Sequence, residues 1–364
     1  MVAILLPVVL GFAALAIDIG YLYVIRTQLQ TAADAAALAG ATAYLEDSGL
    51  LQEQYELTCE ATQRAQYISQ LNETGGQDTL LDAADVTLGQ HDFDNPTAPL
   101  STTGPWNAVE LTVYRTPDSL NGPVRLFFAG IFGMTETDSS ATARAAMDDH
   151  FSGYRLDEDG VLIPFTVHEA LYADMLENGP DDFSYDGDVK PFSDGIREIK
   201  LFPWKFDEPP AGAGNFGILN VGIDCMGVPW LESQILNGIS AEQLQAEFGT
   251  SELVFYDEAG DPRTYDCTGN PGYSLGMRDA LETRLRDGDV VGFFLHQGVV
   301  GSGANATYAI SGIRFGRIVE VQLTGNPNNR TLSIQPVPYT SRSIIVDNTA
   351  PSTDGLVVRL MLVK

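Results

Sequence analysis

Positive charge is scarce in this sequence: 20 Lys and Arg stand against 49 Asp and Glu in 364 residues, a formal net charge of −29. That excludes nucleic acid as a partner, because phosphates need a cationic surface, and it excludes polybasic docking on anionic lipid. Cysteine is nearly as sparse. Three cysteines build neither a disulfide scaffold nor a four-cysteine zinc site. The histidines His91, His150, His168 and His296 are scattered without ligand spacing. His168-Glu169 opens HEALY, which lacks the second histidine of the zinc-protease pattern. Glycine fingerprints for dinucleotides or phosphates are missing, and Gly301-Ser302-Gly303 lacks the strand-to-helix setting of a hydrolase nucleophile. The expectation is a protein with no catalytic residues, no metal site and no cofactor. Calcium is the one ion left open. Acidic clusters at Asp157-Glu158-Asp159, at Asp181-Asp182 with Asp186 and Asp188, and at Asp287 with Asp289 offer hard oxygen ligands. None forms an EF-hand loop, and a solvated acidic surface is the simpler account.

What is present begins at the N-terminus. Residues 2–17 are apolar apart from Pro7 and Gly11, Asp18 interrupts, and the run resumes to Ile25 before Arg26 ends it. Twenty-four such residues in a helix span about 36 Å, enough to cross a bilayer core. Tyr21 and Tyr23 fall where an interfacial aromatic belt would lie. A removed signal peptide would have a basic start and a shorter apolar stretch, so a persistent helix is expected. Asp18 has two readings. Either it lies at the interface in water, or it meets a cation from a neighbouring copy, since an isolated carboxylate in lipid costs about 2.5–3.5 kcal/mol. The helix is expected to continue to about Leu45, with Ala33, Ala36, Ala37 and Gly40 on one face. Such a small-residue face admits close helix–helix approach, either with the chain's own next helix or between subunits.

The remainder reads as α+β. A second helix is expected at 51–71, strands at 85–93 and 108–114, a short buried helix at 123–132, and a strand at 139–147. Beyond 150, short β-type runs recur at 161–167, 196–202, 218–223, 253–256, 290–295, 308–315, 318–323, 331–337, 343–346 and 357–362. Helices are expected at 168–176, 241–248 and 274–286. Three regions follow: a hydrophobic helix at 1–45, a small α+β domain at 46–149, and a mostly β domain at 150–364.

The segment GFAALAIDIGYLYVIRTQLQTAADAAALAGA, from Gly11 to Ala41, closely resembles the N-terminal region of Tad (tight adherence, Flp) pilus-assembly proteins of the TadE/TadG type. The matching features are Asp18, Gly20, Tyr21, the RTQLQ run from Arg26 and the alanine-rich stretch from Ala33 to Ala39. NAVELTVYRTPDSLNGPVRLFFAGIFG and SSATARAAM are similar to the following part of TadG-like chains, and several later segments, SGIRFGRIVEVQLTG among them, resemble longer TadG-related proteins. Two departures stand out. Position 5 is Leu5, where Flp-type prepilins carry glutamate after cleavage, and no basic leader precedes the apolar run; a mature form beginning at Met1 is one expectation.

The resemblance implies a structural, non-enzymatic pilin-like protein of the bacterial envelope. It would sit in the inner membrane before assembly and in an extracellular filament afterwards, through an assembly helix carrying Asp18, Gly20, Ala33, Ala36, Ala37 and Gly40. The implied partners are other copies of itself, other Tad components, and the membrane. An inner-membrane-anchored periplasmic assembly factor is one alternative. A surface adhesin is the other, with Tyr185, Trp204, Phe206 and Trp230 as candidate cleft liners. In an exported protein Cys225 and Cys267 are a candidate disulfide, worth about 4 kcal/mol in the chain-entropy model. Cys59 is left as a small buried hydrophobe or an intermolecular bridge. On the inter-subunit reading of the small-residue face, Ala36→Leu or Gly40→Leu should abolish filaments seen by electron microscopy and leave the fold intact.

Overall fold

The apolar and alanine-rich patterns join into one helix, α1, Val2–Ala41, in the computed structural model. A 3-10 turn, Thr42–Leu45, ends it. The structure describes residues 2–46, 50–51, 54–156, 161–202, 216–222, 228–257, 259–270, 275–301, 306–324, 330–353 and 355–363. Two units emerge, Met1–Asp148 together with Leu360–Lys364, and Asp149–Arg359.

In the first unit, the second half of α1 lies against helix α2, Gln54–Gln70, and against strands β2, Ala108–Arg115, and β5, Ser139–Asp148. Strand β1, Val86–Gly89, pairs with β2, which pairs antiparallel with β5 from Ala108↔Ala146 to Arg115↔Ser139. Residues from Leu360 onward extend this sheet beside β5. The buried positions of α1 run Ile25, Leu29, Ala32, Ala33, Ala36, Ala37, Gly40 and Ala41. Steps of three and four residues keep them on one face. The facing surface is made of equally small or branched residues, Ala61 and Ala65 of α2 and Val109 of β2. A Cβ on Gly40 would stand 3.2 Å from the Ala61 carbonyl oxygen and 3.3 Å from Val109 Cγ1. The small-residue face therefore closes on the chain's own helix and sheet. This corrects the inter-subunit reading of Ala33, Ala36, Ala37 and Gly40: a leucine there meets unit 1 itself, so the fold would not be left intact.

A second correction concerns 123–132. The segment is not a helix. It holds strand β3, Val124–Arg125, which pairs with β4, Glu136–Thr137, across a loop containing a single 3-10 turn, Ala129–Phe132. Gly133, at φ 85°, reverses the chain after that turn, a left-handed conformation that glycine adopts without penalty.

The second unit is built on a closed β-barrel. Strands β6, Phe151–Arg155, and β7, Leu162–His168, lead into helix α3, Glu169–Asn178. A small hairpin of β8, Ser184–Tyr185, and β9, Val189–Lys190, precedes β10, Ile199–Phe202, and β11, Phe216–Leu219. Helices α4, Val228–Asn237, and α5, Ala241–Phe248, are followed by β12, Glu252–Val254, and β13, Tyr265–Asn270. Then come helix α6, Arg278–Asp287, β14, Val290–Val300, β15, Ala306–Gln322, and β16, Thr331–Pro336. The short β17, Tyr339–Thr340, and β18, Ile344–Val346, precede β19, Val357–Val363. Barrel order is β15-β13-β11-β7-β14, closed by β14 pairing with β15, while β16 and β10 continue from the far end of β15. Only β7 and β14 among these run parallel.

The alternation in 308–315 and 318–323, read as two strands, belongs to one 17-residue strand, β15, which serves β13 with one end and β16 with the other. Helix α5 has the predicted bounds because Ser240 and Gln243 form a reciprocal capping box. Helix α4 and strands β6 and β13 were not anticipated. Tyr308 fills the barrel. A Cβ on Gly217 would fall 2.2 Å from its hydroxyl, and one on Gly269 2.9 Å from its ring, so two absent side chains make room for one tyrosine. Beside it, Thr166 Oγ1 and His296 Nδ1 are 2.9 Å apart. The Tyr308 hydroxyl is buried and has no partner among the described residues, and burial pushes its pKa up to about 12.

Two outcomes are expected. Ala36→Leu overpacks the α1–α2 contact and should lower unit 1 stability by about 1–3 kcal/mol, read by chemical denaturation in detergent. Tyr308→Phe removes an unsatisfied buried hydroxyl and keeps the ring, so it should stabilise the second unit by about 1 kcal/mol, read as a higher denaturation midpoint at unchanged slope.

Candidate functional site

From Ile25 onward, one face of α1 is covered by its own unit; before that, little of it is. Val9, Leu10, Phe12, Leu15, Ile17, Ile19 and Tyr23 are all exposed. Among the described residues, this is the one helix long and apolar enough to cross a membrane. Helical stability here cannot come from the chain's own core, and exposed apolar surface of this extent marks an interaction site.

Ala14 and Asp18 are the exceptions in that half, Asp18 only 2 % exposed. The partners of Asp18 come from the loop between β3 and β4. The 3-10 turn at Ala129–Phe132 has no side-chain cap from its own flank, so the amides entering it need acceptors. Asp18 supplies them. Oδ1 accepts from Phe127 N at 2.8 Å and Phe128 N at 3.3 Å, and Oδ2 accepts from Phe128 N at 3.0 Å and Ala129 N at 2.6 Å. The Tyr21 and Phe127 rings meet edge-on, 4.9 Å between centroids. A carboxylate bound by three convergent amides is a charge-assisted cluster, each bond worth about 1.5–3 kcal/mol. Both sequence readings of Asp18 give way to a third. It is neither in water nor opposite a cation, but holds a loop 109 to 111 residues away. Gly20 takes no part, since nothing lies within 4 Å of a Cβ placed there.

The other candidate residues separate. Cys267 is a buried free thiol that donates to Thr268 O at 3.4 Å, and burial pushes its pKa well above the ordinary thiol range. Its candidate partner Cys225 lies outside the described residues, as do Trp204, Phe206, Asp157-Glu158-Asp159 and the Ser302-Gly303 pair. Cys59 is half-buried and free. Tyr185 is half-buried, with the Arg317 guanidinium 4.5 Å from its ring centre, while Trp230 is exposed. The acidic clusters are engaged within the protein: Asp181 accepts from Ser193 and from the amides of Asp194 and Gly195, Asp186 pairs with Lys190, and Asp289 with Arg284. His168 caps α3, its Nδ1 accepting from Ala170 N at 3.2 Å. A cleft of about 210 Å³ in the second unit gathers Glu169, Ser311, Arg314 and Tyr256. There Ser311 donates to Glu169 at 2.9 Å. No histidine lines this cleft.

The long apolar helix, the acid at residue 18 and the loop that acid holds fall within the reach of two family models. The Flp pilus-assembly, TadE/G-like model matches residues 1–43, and a Tad-like Flp pilus-assembly model matches residues 39–145. Residues 1–145 are therefore similar to the Tad-type Flp pilus-assembly proteins that these two models describe. The chain matches no curated protein and no solved structure. In the Tad region the carboxylate lies within the first match and its three donors within the second. The bond therefore ties together two segments that the sequence separates. Sequence reasoning missed this partner. The signal was there as two oddities, one acid in an apolar run and one uncharged apolar loop, FFAGIFGM, with nothing in the pattern to pair them.

Asp18→Ala strips the acceptor from three amides. We expect amide exchange at Phe127, Phe128 and Ala129 to accelerate at least roughly tenfold and unit 1 to lose about 2–3 kcal/mol, with Asp18→Asn intermediate because one oxygen remains. Exchange mass spectrometry in detergent checks both.

Proposed function

We propose that this chain is a non-enzymatic, membrane-anchored, extracytoplasmic component of the Tad pilus machinery. The exposed first half of α1 sits in the bilayer, and the folded units stand outside the cytoplasm. The observation that carries the reading is the division of α1. The residues that could have set spacing between copies, Ala33, Ala36, Ala37 and Gly40, are engaged inside unit 1, and so is Asp18. What stays uncovered is a plain apolar surface, which lipid satisfies without needing register. Transfer of each such side chain out of water is worth about 1.5–3 kcal/mol, so the exposed residues of this half suffice for stable anchoring. Its partners are other Tad components. The acidic surface, with its net charge of −29, repels anionic lipid and nucleic acid, and leaves the helix as the membrane contact.

A second reading, a self-polymerising filament subunit, draws on the same exposed residues, which sibling helices would cover as well as lipid does. Fractionation separates the two. On the anchor reading the chain is recovered from carbonate-washed membranes and released by detergent, and Leu10→Asp with Phe12→Asp moves it to the soluble fraction with both units folded. Recovery in sheared filaments of a single mass, seen by electron microscopy, would replace the anchor with the filament subunit.

A further inference from the structure

We infer that the loop between β3 and β4 is a second membrane-contacting element, one that Asp18 carries to the bilayer surface and holds there. The inference rests on the anchor reading above.

Depth follows from the clamp. Seventeen residues separate the start of α1 from Asp18 inclusive, about 25 Å of helix, against a hydrocarbon core of about 30 Å. The apolar run continues to Ile25, about 10 Å further along the axis. With the span from Val2 to Ile25 in the bilayer, residue 18 lies at or inside its boundary. The loop is bonded to residue 18 through three amides, so it reaches the same level.

Composition suits that place. Residues 126–135, LFFAGIFGMT, carry no charge, while Arg125 and Glu136 flank them. Phe127, Phe128, Ile131, Phe132 and Met134 are exposed, from 39 % at Phe128 to 78 % at Ile131. Five large apolar side chains on one loop are costly in water, and aromatic residues favour the headgroup boundary.

The backbone suits it as well. Non-helical backbone enters an apolar medium only when its polar groups are satisfied internally. Here Leu126 N donates to Thr135 O at 2.9 Å, Ile131 N to Phe128 O at 3.0 Å, and Gly133 N to Gly130 O and Met134 N to Ala129 O at 3.1 Å each. The amides of Phe127, Phe128 and Ala129 donate to Asp18. The same carboxylate that would be expensive near lipid is thus hydrogen-bonded by the donors that would otherwise bar the loop from it. The occupant of this surface is the bilayer, because the loop continues the uncovered face of a helix that lipid already covers.

The test places a tryptophan at the tip. Full-length Phe132→Trp is reconstituted into phosphatidylcholine vesicles with acyl chains brominated near the headgroup, and its emission is compared with wild type, which supplies the background of the three native tryptophans. Tyr55→Trp, on the exposed side of α2, is the control. The expected result is loss of roughly half of the added emission at position 132, with shielding from aqueous iodide, and no bromine effect at position 55. If the chain floats with vesicles but the Phe132→Trp probe is iodide-accessible and unquenched, the loop is not at the membrane while the anchor reading stands. Shielding from both iodide and bromine means that protein covers the loop, and overturns the inference equally. Failure to float at all overturns the anchor reading itself, and this inference with it.

Discussion

A carboxylate inside an apolar helix needs hydrogen-bond donors where it stands, and the way this chain supplies them organises its first unit. Three amides converge on Asp18 from a loop more than a hundred residues away. The bond fixes where on α1 the β3–β4 hairpin docks, and with it the level of the apolar loop tip. It also engages both oxygens of the acid within its own chain. The helix is thereby divided in function: the half beyond Ile25 is structural packing, and the half before it is surface.

That division was only half legible in the sequence. The apolar run, its length and its continuation into an alanine-rich stretch predicted one long helix, and hydrophobic periodicity is the strongest local signal there is. What periodicity cannot say is who covers a face. Ala33, Ala36, Ala37 and Gly40 offer the same stripe to a sibling or to the chain's own α2, and the choice is made by Ala61, Ala65 and Val109, small enough to accept it. The segment 123–132 was misread for a related reason. An uncharged run of aromatic and small residues suits a buried helix by composition, but here its first amides are claimed by Asp18 and its chain is reversed at Gly133. Long-range capping of this kind leaves no spacing to detect.

In the second unit, alternation gave most strand positions and little of their arrangement. β15 was seen as two pieces because one continuous strand carries neighbours that change along its length. Closure into a barrel depends on Gly217, Gly269 and Tyr308 meeting across three strands, a contact no local window contains. Helix α5 lay within its predicted bounds because its cap is written in adjacent residues.

The sheet of the first unit is finished by residues from Leu360 onward, after the whole second unit has been threaded between β5 and that final strand. The second unit is thus an insertion in the topology of the first. For a chain emerging from its N-terminus, this imposes an order on biogenesis. Helix α1 and the clamp loop are made early, yet the sheet behind them keeps an open edge at β5 until residues from Leu360 onward have been delivered. Unpaired strand edges recruit other chains, so the interval in which β5 waits is when a stalled or truncated product is most prone to pair wrongly. Once residues from Leu360 onward have paired beside β5, that edge is no longer open to such recruitment.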